Sequence, residues 1–292
     1  MTSPSSYTLI DPQTGHLAFK LQQFEDNSCF DHLQRQNYYS LVWIQEGHAT
    51  LKADFADYSL QPGAICSFAP YQPYMLLAGE PLKGIAIYFH PDFFCILKHH
   101  KEVSCNGVLY NNIFQPPFVY ADEKTAAVLS LNCEQIKTEM QQPALAQQEL
   151  LIAYLKIILI NTVRLKKDQQ SEHTAAAGSK EPFILQQLKD TIEENFKTKH
   201  SPADYASLLH ISPKALAKLT KTHFNKTLSS LINERIIIEA KRELYLTNKP
   251  VKQIAWELGY DDEYYFSRFF KVNADVSPQL YRDTVGYARA MA

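Results

Sequence analysis

Excess charge of either sign is missing: 29 Lys and Arg stand against 31 Asp and Glu in 292 residues, a net −2 with His neutral. That balance excludes a chain whose bulk charge is built for nucleic acid or a membrane surface. Long apolar runs are missing too. The most apolar stretch, Leu150 to Ile160, is broken by Lys156 and falls far short of the ~20 residues that span a bilayer. Cysteine is sparse. Cys29, Cys66, Cys95, Cys105 and Cys133 form an odd set with no CxxC pair, which reads as reduced thiols in a reducing compartment. The opening MTSPSSYTLIDPQTG has neither the basic start nor the apolar core of a signal peptide. A soluble, cytoplasmic protein is expected. Catalytic signatures are absent as well: there is no GxSxG, HExxH or Gly-rich phosphate loop. His48 and His90 are isolated and His99–His100 are adjacent, so no pair has metal-ligand spacing. No enzyme activity, cofactor or metal is expected.

What is present divides in two. Length alone favours two domains at roughly 150 residues each. Residues 1–181 hold 13 Lys and Arg against 18 Asp and Glu, whereas 182–292 hold 16 against 13. An acidic front and a mildly basic back suggest different jobs. The segment DQQSEHTAAAGSKE, 168–181, is polar and small and has linker composition. The domains expected are therefore 1–167 and 182–292. From Leu41 to Phe89 the chain reads as short strands rich in β-branched and aromatic residues, punctuated by Gly47, Pro62-Gly63, Pro70, Pro73 and Gly79. That spacing argues for a small barrel or sandwich. Helical periodicity follows over 122–141 and 144–167. In the second helix Ile152, Ile157 and Ile160 make the surface apolar nearly all round, which predicts burial on every side and a second subunit against 122–167.

The last 110 residues are the most informative. Ser201-Pro202-Ala203-Asp204 is a helix start, with Ser as N-cap and Pro at the first helical position, and Ser212-Pro213 repeats it. Two helices this close make a helix-turn-helix shape. Ala206, Leu209 and Ile211 then recur as Ala255, Leu258 and Tyr260, each 49 residues on; Leu216 and Leu219 recur as Phe266 and Phe269, each 50 on. Gly259 sits where a left-handed turn residue is wanted. Cations recur too, Lys218 with Arg268 and Lys221 with Lys271. Core periodicity repeats apolar positions; repeated surface cations point to two copies of one surface function. Lys214, Lys218 and Lys221 share one helix face, opposed by Leu216, Leu219 and His223, and Lys226 adds a fourth cation to the segment. Such a face suits a phosphate-lined groove. Between the copies, 228–247 reads as one helix about 30 Å long, close to the ~34 Å between successive major-groove faces.

Residues 200–283 resemble the AraC/XylS family of bacterial transcription regulators. The resemblance rests on Ile254-Ala255-x2-Leu258-Gly259-Tyr260-x5-Phe266-Ser267-Arg268-x-Phe270-Lys271, followed by Ser277-Pro278-x2-Tyr281-Arg282. It implies an α+β two-domain chain: an N-terminal cupin-like β-barrel with dimerisation helices, then an all-α domain with two helix-turn-helix units joined by a long helix. It implies a regulator, an activator rather than a repressor, that binds double-stranded DNA through the major groove, forms a homodimer and can engage RNA polymerase. It implies base contacts from Lys214, Ala217 and Lys218, and from Glu263, Tyr264, Ser267 and Arg268, with Lys221 and Lys271 on phosphates. Arg268 suits guanine through two parallel hydrogen bonds, and Glu263 would accept from a cytosine amino group or repel phosphates. Departures from the pattern are Thr220 where Phe is usual, and Asn225 and Asp275 where Gly is usual. Asn and Asp tolerate left-handed backbone better than most residues. Asp261 and Asp262 read as helix caps.

For the front half the resemblance implies a small effector held in the barrel. Candidate lining residues are Arg35, Tyr38, Tyr39, Trp43, Phe68, Tyr74, Tyr88 and His90. The competing readings are ordinary aromatic core, a cupin-fold enzyme with an appended helix-turn-helix module, and control by a protein partner.

Overall fold

The structure is a computed structural model that describes residues 5–54, 56–176 and 183–285. The chain divides into two units: Met1–Ala53, Asp57–Asn112 and Pro116–Ser171 form the first, while Asp54–Ala56, Ile113–Gln115 and Glu172–Ala292 form the second. The first half is built on β-sheet and the second is helical. No helix among the described residues is long and apolar enough to cross a membrane.

The first unit contains β1 (Ser6–Ile10), β2 (Leu17–Phe24), β3 (Tyr39–Glu46), β4 (Ala49–Ala53), β5 (Ala56–Leu60), β6 (Ala64–Phe68), β7 (Tyr74–Leu77) and β8 (Lys83–Phe89). A short turn of helix, α1 (His100–Val103), and β9 (Phe118–Tyr120) lead into α2 (Glu123–Gln141) and α3 (Gln147–Ala176). One sheet has the order β1-β2-β8-β3-β6-β9 and the other β5-β4-β7. Pairing is antiparallel, with Lys20 opposite Tyr88, and Ser40 opposite both Tyr88 and Phe68.

The larger sheet is covered on both faces. Tyr39, Leu41, Trp43, Ile85 and Ile87 share a core with Leu129, Ile136, Leu151, Leu155 and Leu159 of α2 and α3. Their neighbours Val42, Ile44, Ala86 and Tyr88 join Leu51 and Leu76 of the smaller sheet in a second core. Strands buried on both faces read as continuous apolar text instead of alternating, which is why β3 and β8 look so uniformly apolar. Gly84 marks the tightest point: a Cβ there would lie 2.0 Å from the Trp43 carbonyl oxygen and 2.7 Å from Phe24. Gly84→Ala is therefore expected to lower stability by about 1–3 kcal/mol through overpacking, measured by denaturant unfolding. An unchanged midpoint would show that β3 and β8 can spread.

One expectation changes here. Helix α3 continues to Ala176, into the segment whose composition marks a linker. Only 177–181 of that segment lie outside the described residues. Within the single chain α3 is buried on one side: Leu151, Leu155, Ile158 and Leu159 are fully inside, while Leu150 and Ile157 are exposed. One side packs on the sheet, and Ile152, Tyr154 and Ile160 are half-buried at the edge of the same core.

The second unit contains α4 (Phe183–Asn195), α5 (Pro202–Leu208), α6 (Pro213–Phe224), α7 (Leu228–Leu246), α8 (Val251–Glu257), α9 (Glu263–Ala274) and α10 (Pro278–Val285). Side chains cap most of these starts as the sequence predicts. Ser201 and Asp204 form a reciprocal capping box on α5, and Ser212 Oγ accepts from the Ala215 amide. Asp262 accepts from the amides of Tyr264 and Tyr265, at 2.6 and 2.9 Å. Of the two predicted acidic caps, then, Asp262 holds the helix end.

The repeat extends to the backbone. Helices α5 and α8 are both seven residues long, and α6 and α9 are both twelve. His210 and Gly259, 49 apart, are both left-handed, with φ of 54° and 79°. Asn225 and Asp275, 50 apart, are left-handed at 55° and 60°, the geometry a Gly would otherwise supply after a helix. Thr220 is fully buried, its hydroxyl donating to the Ala217 carbonyl at 3.1 Å, so the position usual for Phe is filled by a smaller, satisfied side chain.

Candidate nucleic-acid interface

Helix α7 is the frame on which both pairs are mounted. Leu231, Ile232, Ile236, Ala240 and Leu244 are completely buried along it. Ion pairs tie its flank: Arg235 to Glu193 of α4 at 2.8 Å, and Arg235 and Arg242 to Glu239 at 3.2 and 3.0 Å. The end of the signature acts here as well. Tyr281 is buried edge-on against Phe270, and Arg282 donates to the carbonyls of Leu244 and Lys249, at 3.2 and 2.7 Å. Arg282 thus satisfies a carbonyl in the last turn of α7, which a helix end otherwise leaves open.

On this frame α6 turns Leu216, Thr220 and Phe224 inward and leaves Lys214, Ala217, Lys218 and Lys221 exposed. The three lysines lie together on the outer face. One detail differs from expectation. His223 is exposed and Phe224 takes the inward position, because the helix continues at 3.6 residues per turn beyond Leu219. Lys226, the fourth cation of the segment, is buried, with its ammonium 2.7 Å from Glu234.

Helix α9 buries Phe266, Phe270 and Ala274. Tyr264, Arg268 and Lys271 are exposed, while Glu263 and Ser267 are half-buried. Two exposed side chains escape the sequence reading, Tyr265 and Val272; the second is 78% exposed. A groove of about 530 Å³ runs beside this helix, between Tyr265, Arg268, Phe269, Val272 and Asn273 on one bank and Ser229, Ser230 and Asn233 of α7 on the other. The turn before α9 is held from behind. The His200 ring stacks on Tyr260 at 4.7 Å, and a Cβ at Gly259 would meet the Lys197 carbonyl oxygen at 2.2 Å.

In the first unit the candidate aromatics divide. Phe68, Tyr74 and Tyr88 belong to the core between the sheets, with Tyr38 packed against it. Phe68 and Tyr74 are stacked at 3.7 Å, and Tyr38 meets the edge of Tyr88 at 5.2 Å. Burial pushes the Tyr38 phenol up to about 12 and raises those of Tyr74 and Tyr88 too, so all three stay neutral at pH 7. Strand register adds residues that sequence spacing had not supplied. Ser40 and Lys20 lie opposite Tyr88, and the Lys20 ammonium sits 5.5 Å from the Tyr88 ring centre. Trp43 and Tyr39 face the other way, into the core shared with α2 and α3, because side chains alternate along β3. His90 is buried after β8, 3.5 Å from Asp92, and Arg35 is exposed. Among the described residues, no three of His, Cys, Asp and Glu are placed to hold a metal ion.

The two helix pairs are laid out alike, each exposing cations from its second helix, and the family described as "Helix-turn-helix domain" matches residues 205–284. The chain is 34% identical over 95 residues to the raffinose operon transcriptional regulatory protein RafR of Pediococcus pentosaceus, covering 32% of this chain and 34% of RafR. It is 31% identical over 99 residues to the regulatory protein SoxS of Salmonella typhimurium, covering 34% of this chain and 92% of SoxS. The crystal structure of ToxT from Vibrio cholerae is similar with 18% identity and a TM-score of 0.40, over 97% of each chain. The chain belongs to the AraC/XylS family of transcriptional regulators. It spans about a third of the length of RafR.

Proposed function

We propose that this chain is a sequence-specific regulator of transcription, an activator, whose second unit reads duplex DNA. The observation that carries the reading is the repeated exposure of cations on matched helices: Lys214, Lys218 and Lys221 on α6, Arg268 and Lys271 on α9. On this reading the two helix pairs are two helix-turn-helix units. Lys214, Ala217 and Lys218 read bases from the first, Glu263, Tyr264, Ser267 and Arg268 from the second, and Lys221 and Lys271 hold phosphates. Helix α7, nineteen residues long, spans about 28 Å and serves as the spacer that lets both units face one side of the duplex.

The first unit is the sensor, a cupin-like barrel in which a small effector lies against Tyr38, Phe68, Tyr74 and Tyr88. Exposed Leu131, Leu150 and Ile157 on α2 and α3 support a homodimer through 122–167. Effector binding would shift the population of arrangements in which the DNA-binding unit is held, with RNA polymerase as the downstream partner and the cytoplasm as the compartment.

Selection from a randomised duplex library tests the DNA-binding reading. A recovered motif with two blocks about one helical turn apart is the expected result; no enrichment over random duplex would sink it. Thermal denaturation against a metabolite library tests the sensor. A ligand that binds only the native state raises Tm, and a library without a single shift would favour control by a protein partner.

A further inference from the structure

The outer face of α9 is not wholly cationic. Tyr264, Arg268 and Val272 follow one another at four-residue intervals, so they form one stripe along the helix. All three are exposed, Tyr264 by 80% and Val272 by 78%. No acid interrupts the stripe, and Lys271 lies beside it. The hidden side of the same helix is filled by Phe266, Phe270 and Ala274, so the stripe contributes nothing to the core. The stripe is continuous with the groove beside α7, of which Arg268 and Val272 form part of one bank. An apolar side chain left in water forgoes the stabilisation that burial would bring. Two of them flanking an arginine make a surface matched to a partner with apolar groups on either side of a hydrogen-bond acceptor pair.

The major groove contains such a partner. Guanine presents two acceptors to arginine, and thymine is the only base that presents a methyl group there. We infer that Tyr264 and Val272 each contact a thymine C5-methyl group on either side of a guanine bound by Arg268. The inference rests on the reading of α9 as a DNA-reading helix. A rise of about 1.5 Å per residue separates successive members of the stripe by about 6 Å. One nucleotide step along a strand is about 3.4 Å. Each thymine therefore lies about two base pairs from the guanine, on one strand or the other. Val272 becomes a specificity-determining residue, and the second block of the operator a guanine between thymines.

The test uses the full chain and its selected duplex, with each flanking thymine replaced in turn by deoxyuridine. That change removes the methyl group and leaves the base pair intact. The wild-type protein should lose about fourfold in affinity at each position, the worth of one buried methyl-sized group. Val272→Ala should bind more weakly than wild type and become indifferent to deoxyuridine at one flank, and Tyr264→Ala likewise at the other. Both positions are exposed, so both variants keep the fold, which circular dichroism checks. A wild-type protein indifferent to both replacements, or a selected block without thymine near the guanine, would overturn the inference. So would variants that remain as sensitive to deoxyuridine as wild type. If wild-type protein retains no duplex at all, the DNA-binding reading itself fails and takes this one with it.

Discussion

Replacing Gly259 with alanine is expected to destabilise the helical unit by about 2–5 kcal/mol and to remove duplex binding along with it. Two costs combine. An L side chain in the left-handed region costs about 1–2 kcal/mol, and overpacking against a neighbour typically costs a further 1–3 kcal/mol. The neighbour here is backbone, the Lys197 carbonyl oxygen at 2.2 Å, with the His200 ring behind it at 3.3 Å. The backbone carbonyl cannot swing aside as a flexible side chain would. His210 provides the internal control, because it holds the matched left-handed position of the first pair at φ 54°. His210→Gly should be neutral or stabilising by up to about 1–2 kcal/mol, since it relieves left-handed strain. Thermal and denaturant unfolding by far-ultraviolet circular dichroism reads both. A Gly259→Ala protein that melts like wild type would mean that the turn can move away from the segment between α4 and α5, and that the two helix pairs are not packed as described.

Arg268→Ala should cost about 1–3 kcal/mol on the selected operator, or roughly 5- to 150-fold in affinity, with the loss concentrated at one guanine. On random duplex the same variant should bind almost as well as wild type. Lys221→Ala should behave oppositely: weaker on every sequence by a similar factor, with a salt dependence shallower by about one unit. The two substitutions remove the same formal charge, so bulk electrostatics predicts the same profile for both. Titrations of both variants against specific and random duplex at several salt concentrations separate the two roles. Equal losses on the two DNAs for Arg268→Ala would remove its base-reading role.

The helical half is legible in the sequence because short-range signals do most of the work there. Ser-Pro caps, a Gly in a turn and apolar residues at 49- and 50-residue offsets are local statements, and local structure obeys them. The sheet half is harder for a physical reason. Tyr39, Trp43, Tyr74 and Tyr88 are all aromatic and all buried, but only strand register decides which side of the sheet each one takes. Trp43 lies against the helices and Tyr88 against the other sheet, and a one-residue slip would exchange such roles. Composition misleads once more at 168–176, where polar residues and alanines look like a linker. Gln, Glu and Ala are also good helix formers, and α3 continues through them to Ala176. Val272 escapes notice because, in the sequence alone, a valine on an amphipathic helix reads as core. Its exposure is visible only once Phe266, Phe270 and Ala274 define the buried side.

The unlike faces of α6 and α9 have a consequence for orientation. A two-fold dimer of identical readers recognises a palindrome, which looks the same from either end. Here one helix presents Lys214, Lys218 and Lys221, and the other presents Tyr264, Arg268 and Val272, in a fixed order along one chain. The matching DNA site has a head and a tail. On the proposed reading of both helices, inverting the site would exchange the bases that α6 and α9 meet, so a single bound copy distinguishes the two orientations of its site.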